Sequence, residues 1–210
     1  MSATTTPLPR PRTTRSHAKP ILWATIALAG IFVLYLDIPL LHTPSPYRTQ
    51  LIKDTFLLIP HAVCGSIATV LGPFLFSTRF RQRHLKRHRI MGRTYVICIA
   101  ISAPIALMLQ LHRHDSLAFA NGVMSALWFL CTLAAFITAR NRQLVAHRQW
   151  MIRSYIFTLN FIITRIPGPI PAFSHMSDAH FALMLLMLAG LYLFLPDLYF
   201  NWRELTQSRA

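Results

Sequence analysis

Six long apolar stretches divide this chain, at residues 21–41, 55–76, 94–111, 117–139, 150–166 and 180–201. A helix needs about 20 mostly apolar residues to cross the hydrocarbon of a bilayer, and every stretch is of that order. Spanning strands would be about half as long and would alternate in polarity. These stretches do not alternate. Lipid offers no water to backbone N–H and C=O groups, so a spanning segment that satisfies its own groups is favoured. The expected fold is therefore all-α: a polytopic integral membrane bundle of about six transmembrane helices. Only 13% of residues are charged and mean hydropathy is +0.43, whereas soluble domains carry about 25% charged residues. The first stretch has the basic flank of a signal peptide. It is long, however, and no small-x-small cleavage site follows it, so it reads as a retained helix.

The charge is uneven. Seventeen of the 21 Lys and Arg residues fall in the N-terminal segment, the second and fourth connections and the C-terminal segment. In a six-span arrangement these all lie on one side. The other side holds only Arg48, Lys53, Arg113 and Arg165, offset by Asp37, Asp54, Asp115 and Asp178. This is the asymmetry that orients membrane proteins with basic loops inside, so both termini are expected in the cytoplasm. A net charge of +15 could suggest nucleic acid in a soluble protein. Here the basic run "RQRHLKRHRIMGRTY" at 81–95 sits between apolar stretches and acts first as a topology determinant. Anionic lipid headgroups at the cytoplasmic face are its expected partner, and no nucleic acid is expected. An integral, multi-pass place in a membrane that bounds the cytoplasm is the expected location.

Residues 1–19, rich in Thr, Pro and Arg without an apolar face, read as a disordered tail. Residues 20–202 form one transmembrane domain, and 203–210 a short C-terminal tail. "HTPSPY" at 42–47 and "PGPIPAFSH" at 167–175 are turn-forming connections. Cys64, Cys98 and Cys131 fall inside spans without CxxC spacing and read as packed free thiols.

Polar groups inside spans cost free energy and usually face the bundle interior. His88 and His147 both lie at the expected cytoplasmic ends of spans. His61, in "PHAVCG", lies in the first turns of the second span, near the outer face. Histidines from two helices of a bundle can hold haem iron on both axial positions. His88 and His147 are the candidate metal ligands, with His61, Arg93, Arg148 and Arg153 as further cofactor-binding residues; an arginine suits a haem propionate. The bland alternative is that these histidines are interfacial and bond to backbone or headgroups. Arg153 and Asp197 lie at similar depth in the fifth and sixth spans and are expected to pair, since either alone is costly to bury.

Two segments, "PHAVCGSIATVLGPFLFSTRFRQRHLKRHRIMGRTY" at 60–95 and "AHRQWMIRSYIFT" at 146–158, resemble a family of bacterial predicted membrane proteins known as domain of unknown function 2306. Its pattern matches Pro60, His61, Gly72, Pro73, Phe74, His88, Arg89, Gly92 and Arg93. The later motif matches His147, Arg148, Trp150, Met151, Arg153, Ser154 and Tyr155. "LFLPDLYFNW" at 193–202 is similar to the family's closing span. The resemblance implies membrane location and marks these residues; it supplies no reaction. The layout of histidines at helix ends looks like that of the diheme b-type cytochromes.

Three readings follow. One is a small haem-binding, b-type-cytochrome-like redox protein, with haem b as cofactor. The second is a non-catalytic accessory, assembly or lipid-interacting protein. The third is a small-solute transporter, although paired broken helices are not evident. No Walker or HExxH motif is present. The orientation has a direct check in intact cells with an impermeant maleimide. In a variant lacking the native cysteines, single cysteines at Ser45, Ser116 and Ser174 are expected to label. Those at Ser16, Leu85 and Val145 are expected to stay protected; the reverse pattern would invert the topology.

Overall fold

The computed structural model describes residues 53–111, 113–165 and 176–207, with isolated positions at 24, 27, 28, 30, 31, 35, 170 and 173. Six helices follow one another: α1 (Thr55–Phe76), α2 (Thr78–Arg83), α3 (Leu85–Met108), α4 (Ser116–Arg140), α5 (Leu144–Arg165) and α6 (Asp178–Gln207). Among the described residues there is no strand. The N-terminal tail and most of the first apolar stretch lie outside them. The isolated positions within that stretch, such as Leu28 and Ile31, are helical.

Four helices are long and apolar enough to cross a membrane: Thr55–Phe76, Leu85–Met108, Ser116–Arg140 and the Asp178–Trp202 part of α6. Helix α5 is not among them, because Arg148, Arg153, Asn160 and Arg165 dilute its apolar character. Two helices start earlier than their apolar runs. α3 runs back through the basic segment to Leu85 and α5 back to Leu144, since no Pro interrupts either approach. α6 continues past the end of its apolar run to Gln207.

α1 packs on α3, α3 on α4, α4 on α5, and α5 closes back on α1; α6 lies against α4 and α5. Successive long helices alternate in direction, so α3 and α5 run the same way across the bundle's diagonal, as do α4 and α6 where they pack together. Small residues line the contacts. Ala68, Ala103, Ala120 and Ala135 are all essentially inaccessible, which lets backbones approach. Large apolar side chains point outward instead, with Phe56 87%, Met187 68% and Phe194 72% exposed. The polar side chains Ser102, Thr132, Arg153, Ser154 and Thr158 are buried. Apolar outside and polar inside is the pattern of a bundle solvated by lipid.

At the end of α4, Asp115 caps the helix: one carboxylate oxygen accepts Ala118 N–H at 2.6 Å and the other accepts Arg113 at 2.7 Å. The Arg113 hydrogen bonds, then the Ala118 N–H, hold the exposed Asp115 carboxyl below its ordinary range.

The contact of α1 with α5 depends on a proline. Pro73 has no N–H, so the Thr69 carbonyl one turn earlier has no helical donor. The Tyr155 hydroxyl on α5 donates to that carbonyl at 3.0 Å. The Tyr155 ring lies where a Cβ on Gly72 would be, in direct conflict with three ring carbons. Gly72 therefore admits the ring and Pro73 provides the acceptor for its hydroxyl. Gly72→Ala is expected to destabilise by about 1–3 kcal/mol through overpacking. Tyr155→Phe should cost a similar amount by leaving the Thr69 carbonyl unpaired. Thermal unfolding in detergent measures both, and a double variant less destabilised than the sum would show the two effects share one contact.

Candidate functional site

The diagonal between α3 and α5 is bridged by side chains. Tyr95 Oη lies 2.9 Å from Ser154 Oγ and 2.9 Å from Thr158 Oγ1. Trp128 on α4 donates its Nε1–H to Thr158 Oγ1 at 3.0 Å. Thr132 Oγ1 lies 2.7 Å from Ser154 Oγ. The protons can be placed. Thr132 donates to the Trp128 carbonyl and Thr158 to the Ser154 carbonyl, so both hydroxyl oxygens must accept from the others. Ser154 then donates to Thr132, and Tyr95 shares its proton between Ser154 and Thr158. Each polar group in this layer has a partner, as a lipid-solvated interior requires.

His88 precedes Tyr95 by seven residues on α3, and His147 precedes Ser154 by seven on α5. Seven residues are close to two helical turns, so each histidine shares the face of the residue that meets across the diagonal. The two helices are parallel. The histidines thus form the next layer of the bundle, about 10 Å along the axis toward the start of both helices.

The two rings are held differently. His147 Nδ1 lies 2.8 Å from the Ala135 carbonyl on α4. A carbonyl only accepts, so Nδ1 carries the hydrogen and Nε2 keeps its lone pair. That is the arrangement of an imidazole oriented for ligation. His88 Nδ1 is buried and has no hydrogen-bond partner among the described residues. Such orphans are uncommon and call for an account.

Of the other residues expected at this site, Arg93 and Arg148 are exposed, on the same helices as the two histidines. Arg153 is 5% exposed but turns to α6. Its Nη2 donates to Asp197 Oδ1, its Nε donates to the Leu193 carbonyl at 3.1 Å, and its guanidinium lies 4.9 Å from the Trp150 ring centroid. His61 belongs to the opposite end. Its Nδ1 lies 2.9 Å from Ser102 Oγ and 2.9 Å from the Ser102 carbonyl, and Ser102 Oγ donates to the His61 carbonyl at 3.0 Å. Ser102 is fourteen residues from His88 along α3, about 21 Å. His61 therefore clasps α1 to α3 and does not join the histidine layer. Cys64, Cys98 and Cys131 are free thiols. No group of three or more His, Cys, Asp or Glu able to hold a metal ion occurs among the described residues.

Sequence reasoning passed over Tyr95, Trp128, Thr132 and Thr158. The signal for Tyr95 was present: the spacing from His88 to Tyr95 equals that from His147 to Ser154. Trp128 and Thr132 lie on an apolar helix with no counterpart spacing, and only packing reveals them.

A lipid-facing apolar exterior, a buried hydroxyl layer and an ion pair anchored on a buried arginine define a polytopic helical membrane protein. Residues 58–202 match the family described as Predicted membrane protein (DUF2306), and the chain belongs to that family. No curated protein and no solved structure matches it.

The ion pair has an asymmetry that can be measured. The Arg153 side chain is 6% exposed and that of Asp197 is 48% exposed. Asp197→Leu strands a buried guanidinium and is expected to cost about 3–5 kcal/mol. Arg153→Met leaves a carboxylate already half-exposed and should cost less, about 1–2 kcal/mol. The double variant should recover most of the larger loss in detergent thermal unfolding. Additive losses would show that the pair contributes no coupling.

Proposed function

We propose that the chain is a six-span bundle with both termini in the cytoplasm, and that His88 and His147 form a bis-imidazole haem b site in a small b-type-cytochrome-like redox protein. The observation carrying this reading is the diagonal histidine layer: two core-facing imidazoles on parallel helices, one turned by a backbone carbonyl so that its Nε2 is available. Cofactor sites in helical bundles are built from side chains on facing helices in this manner. The unpartnered Nδ1 of His88 fits a ring whose partner is a bound group. Haem, when bound, supplies one-electron transfer. The chain's own residues orient the two rings, and the hydroxyl layer below closes the interior. Arg93 and Arg148 stand exposed at the rim, suited to propionate carboxylates. Charge asymmetry supports the orientation, which puts this layer at the cytoplasmic edge.

The test is a visible spectrum of detergent-purified protein produced with ample haem. A Soret band and a reducible α-band are expected. His88→Gln and His147→Gln should each abolish or convert the low-spin spectrum while leaving thermal unfolding within about 1 kcal/mol of the parent. Arg93→Gln should retain it. A colourless protein, or a spectrum indifferent to both histidine variants, overturns the haem reading and favours the non-catalytic accessory one.

A further inference from the structure

A second feature at the same end of the bundle is independent of the histidine layer. Ser77, with extended backbone (φ −74°, ψ 107°), ends α1 and caps α2 by accepting Phe80 N–H at 3.3 Å. His84 (φ −136°, ψ 57°) then breaks α2 from α3. Between the two breaks, α2 lies across an open cleft of about 430 Å³ bordered by the end of α1. Its wall is apolar: Pro73, Phe74 and Phe80, with the two phenyl rings edge to face at 6.3 Å. Its rim is cationic. Arg79 and Arg83 line the cleft four residues apart, and the His84 ring lies 5.6 Å from that of Phe80.

Like charges at this spacing on a helix repel. Among the described residues neither arginine has an ion-pair partner. No Asp or Glu occurs between Asp54 and Asp115, so nothing local offsets them. The rim suits an anion, and one that carries an apolar part would also meet the phenyl wall. The cleft also lies where an apolar helix ends, at headgroup depth, a level aromatic side chains favour.

We propose that this cleft binds the phosphate headgroup of an anionic phospholipid, with Arg79, Arg83 and His84 on the phosphate and Phe74 and Phe80 against the glycerol and upper acyl chain. Guanidinium groups suit phosphate oxygens. The site is distinct from the cofactor site proposed above, since it shares no residue with it, and its lipid would come from the leaflet facing the basic loops.

Native mass spectrometry of the full-length, delipidated protein in detergent tests it. The probes are phosphatidylglycerol, phosphatidylcholine and inorganic phosphate, each added alone. Phosphatidylglycerol adducts should dominate. Arg79→Gln with Arg83→Gln should weaken them about tenfold or more, at roughly a factor of five for each basic residue lost. Arg140→Gln with Arg142→Gln removes the same charge from another connection and should leave them within about twofold. Phe80→Ala should reduce lipid adducts without changing phosphate binding. Equal weakening by the two arginine pairs would mean diffuse charge attraction and would overturn the site. Equal retention of phosphatidylcholine would overturn it too. Inorganic phosphate binding as tightly as the lipid, with Phe80→Ala silent, would identify a soluble anion and defeat the lipid assignment. Thermal unfolding of the Arg79/Arg83 variant is expected to match the parent because both residues are exposed.

Discussion

Tyr95 reaches across the diagonal of the bundle to Ser154 and Thr158, and much of the architecture depends on that reach. A hydroxyl contact between helices in lipid is worth only about 1 kcal/mol. Its consequence is larger than its energy, because leaving one of these groups unpaired in hydrocarbon would cost more. The layer therefore has one good register. Turning α3 or α5 by a single residue moves side chains by about 100°, which would strand Tyr95, Thr158 and Trp128 together. With that register set, His88 and His147 must face the interior two turns away.

Helix α5 organises the rest, although it is the least apolar of the long helices. Three consecutive residues, Arg153, Ser154 and Tyr155, contact three different surroundings: α6 through Asp197, α3 and α4 through Tyr95 and Thr132, and α1 through the Thr69 carbonyl. Steps of about 100° per residue aim successive side chains at different neighbours. This gives a physical account of the tripeptide within the family motif. It also links that motif to the Gly72–Pro73 pair about eighty residues earlier, since the glycine and the freed carbonyl are the two halves of the Tyr155 socket.

The charges divide the same way. Arg153 is interior and matched by Asp197. The arginines of α2 and the start of α3 are exposed, Arg81 only partly, and no Asp or Glu lies near them in the sequence. Interior charge must be compensated within the fold, whereas rim charge can be compensated by what the membrane supplies. The same residue type thus stabilises the bundle in one place and presents a binding surface in another. The histidines separate similarly: His61 is satisfied by Ser102 and serves packing, while His88 keeps an unpartnered nitrogen.

The sequence by itself determined the helical class, the positions of most helices and the free state of the thiols, because span length and hydrophobicity are local properties. It also pointed to Arg153 with Asp197, since charge at matched depth leaves few partners. It did not show that Arg153 turns to Asp197 or that His61 closes on Ser102, because residue type and approximate depth do not give the direction a side chain faces. It also made α5 look like an ordinary apolar span. Hydropathy weighs composition without direction, and only packing showed that Arg153, Ser154, Tyr155 and Thr158 of α5 are turned inward to partners on four helices. Tertiary structure alone decided which helices are neighbours and which are diagonal, and so turned two distant histidines into one layer and a basic loop into a cleft with an aromatic wall.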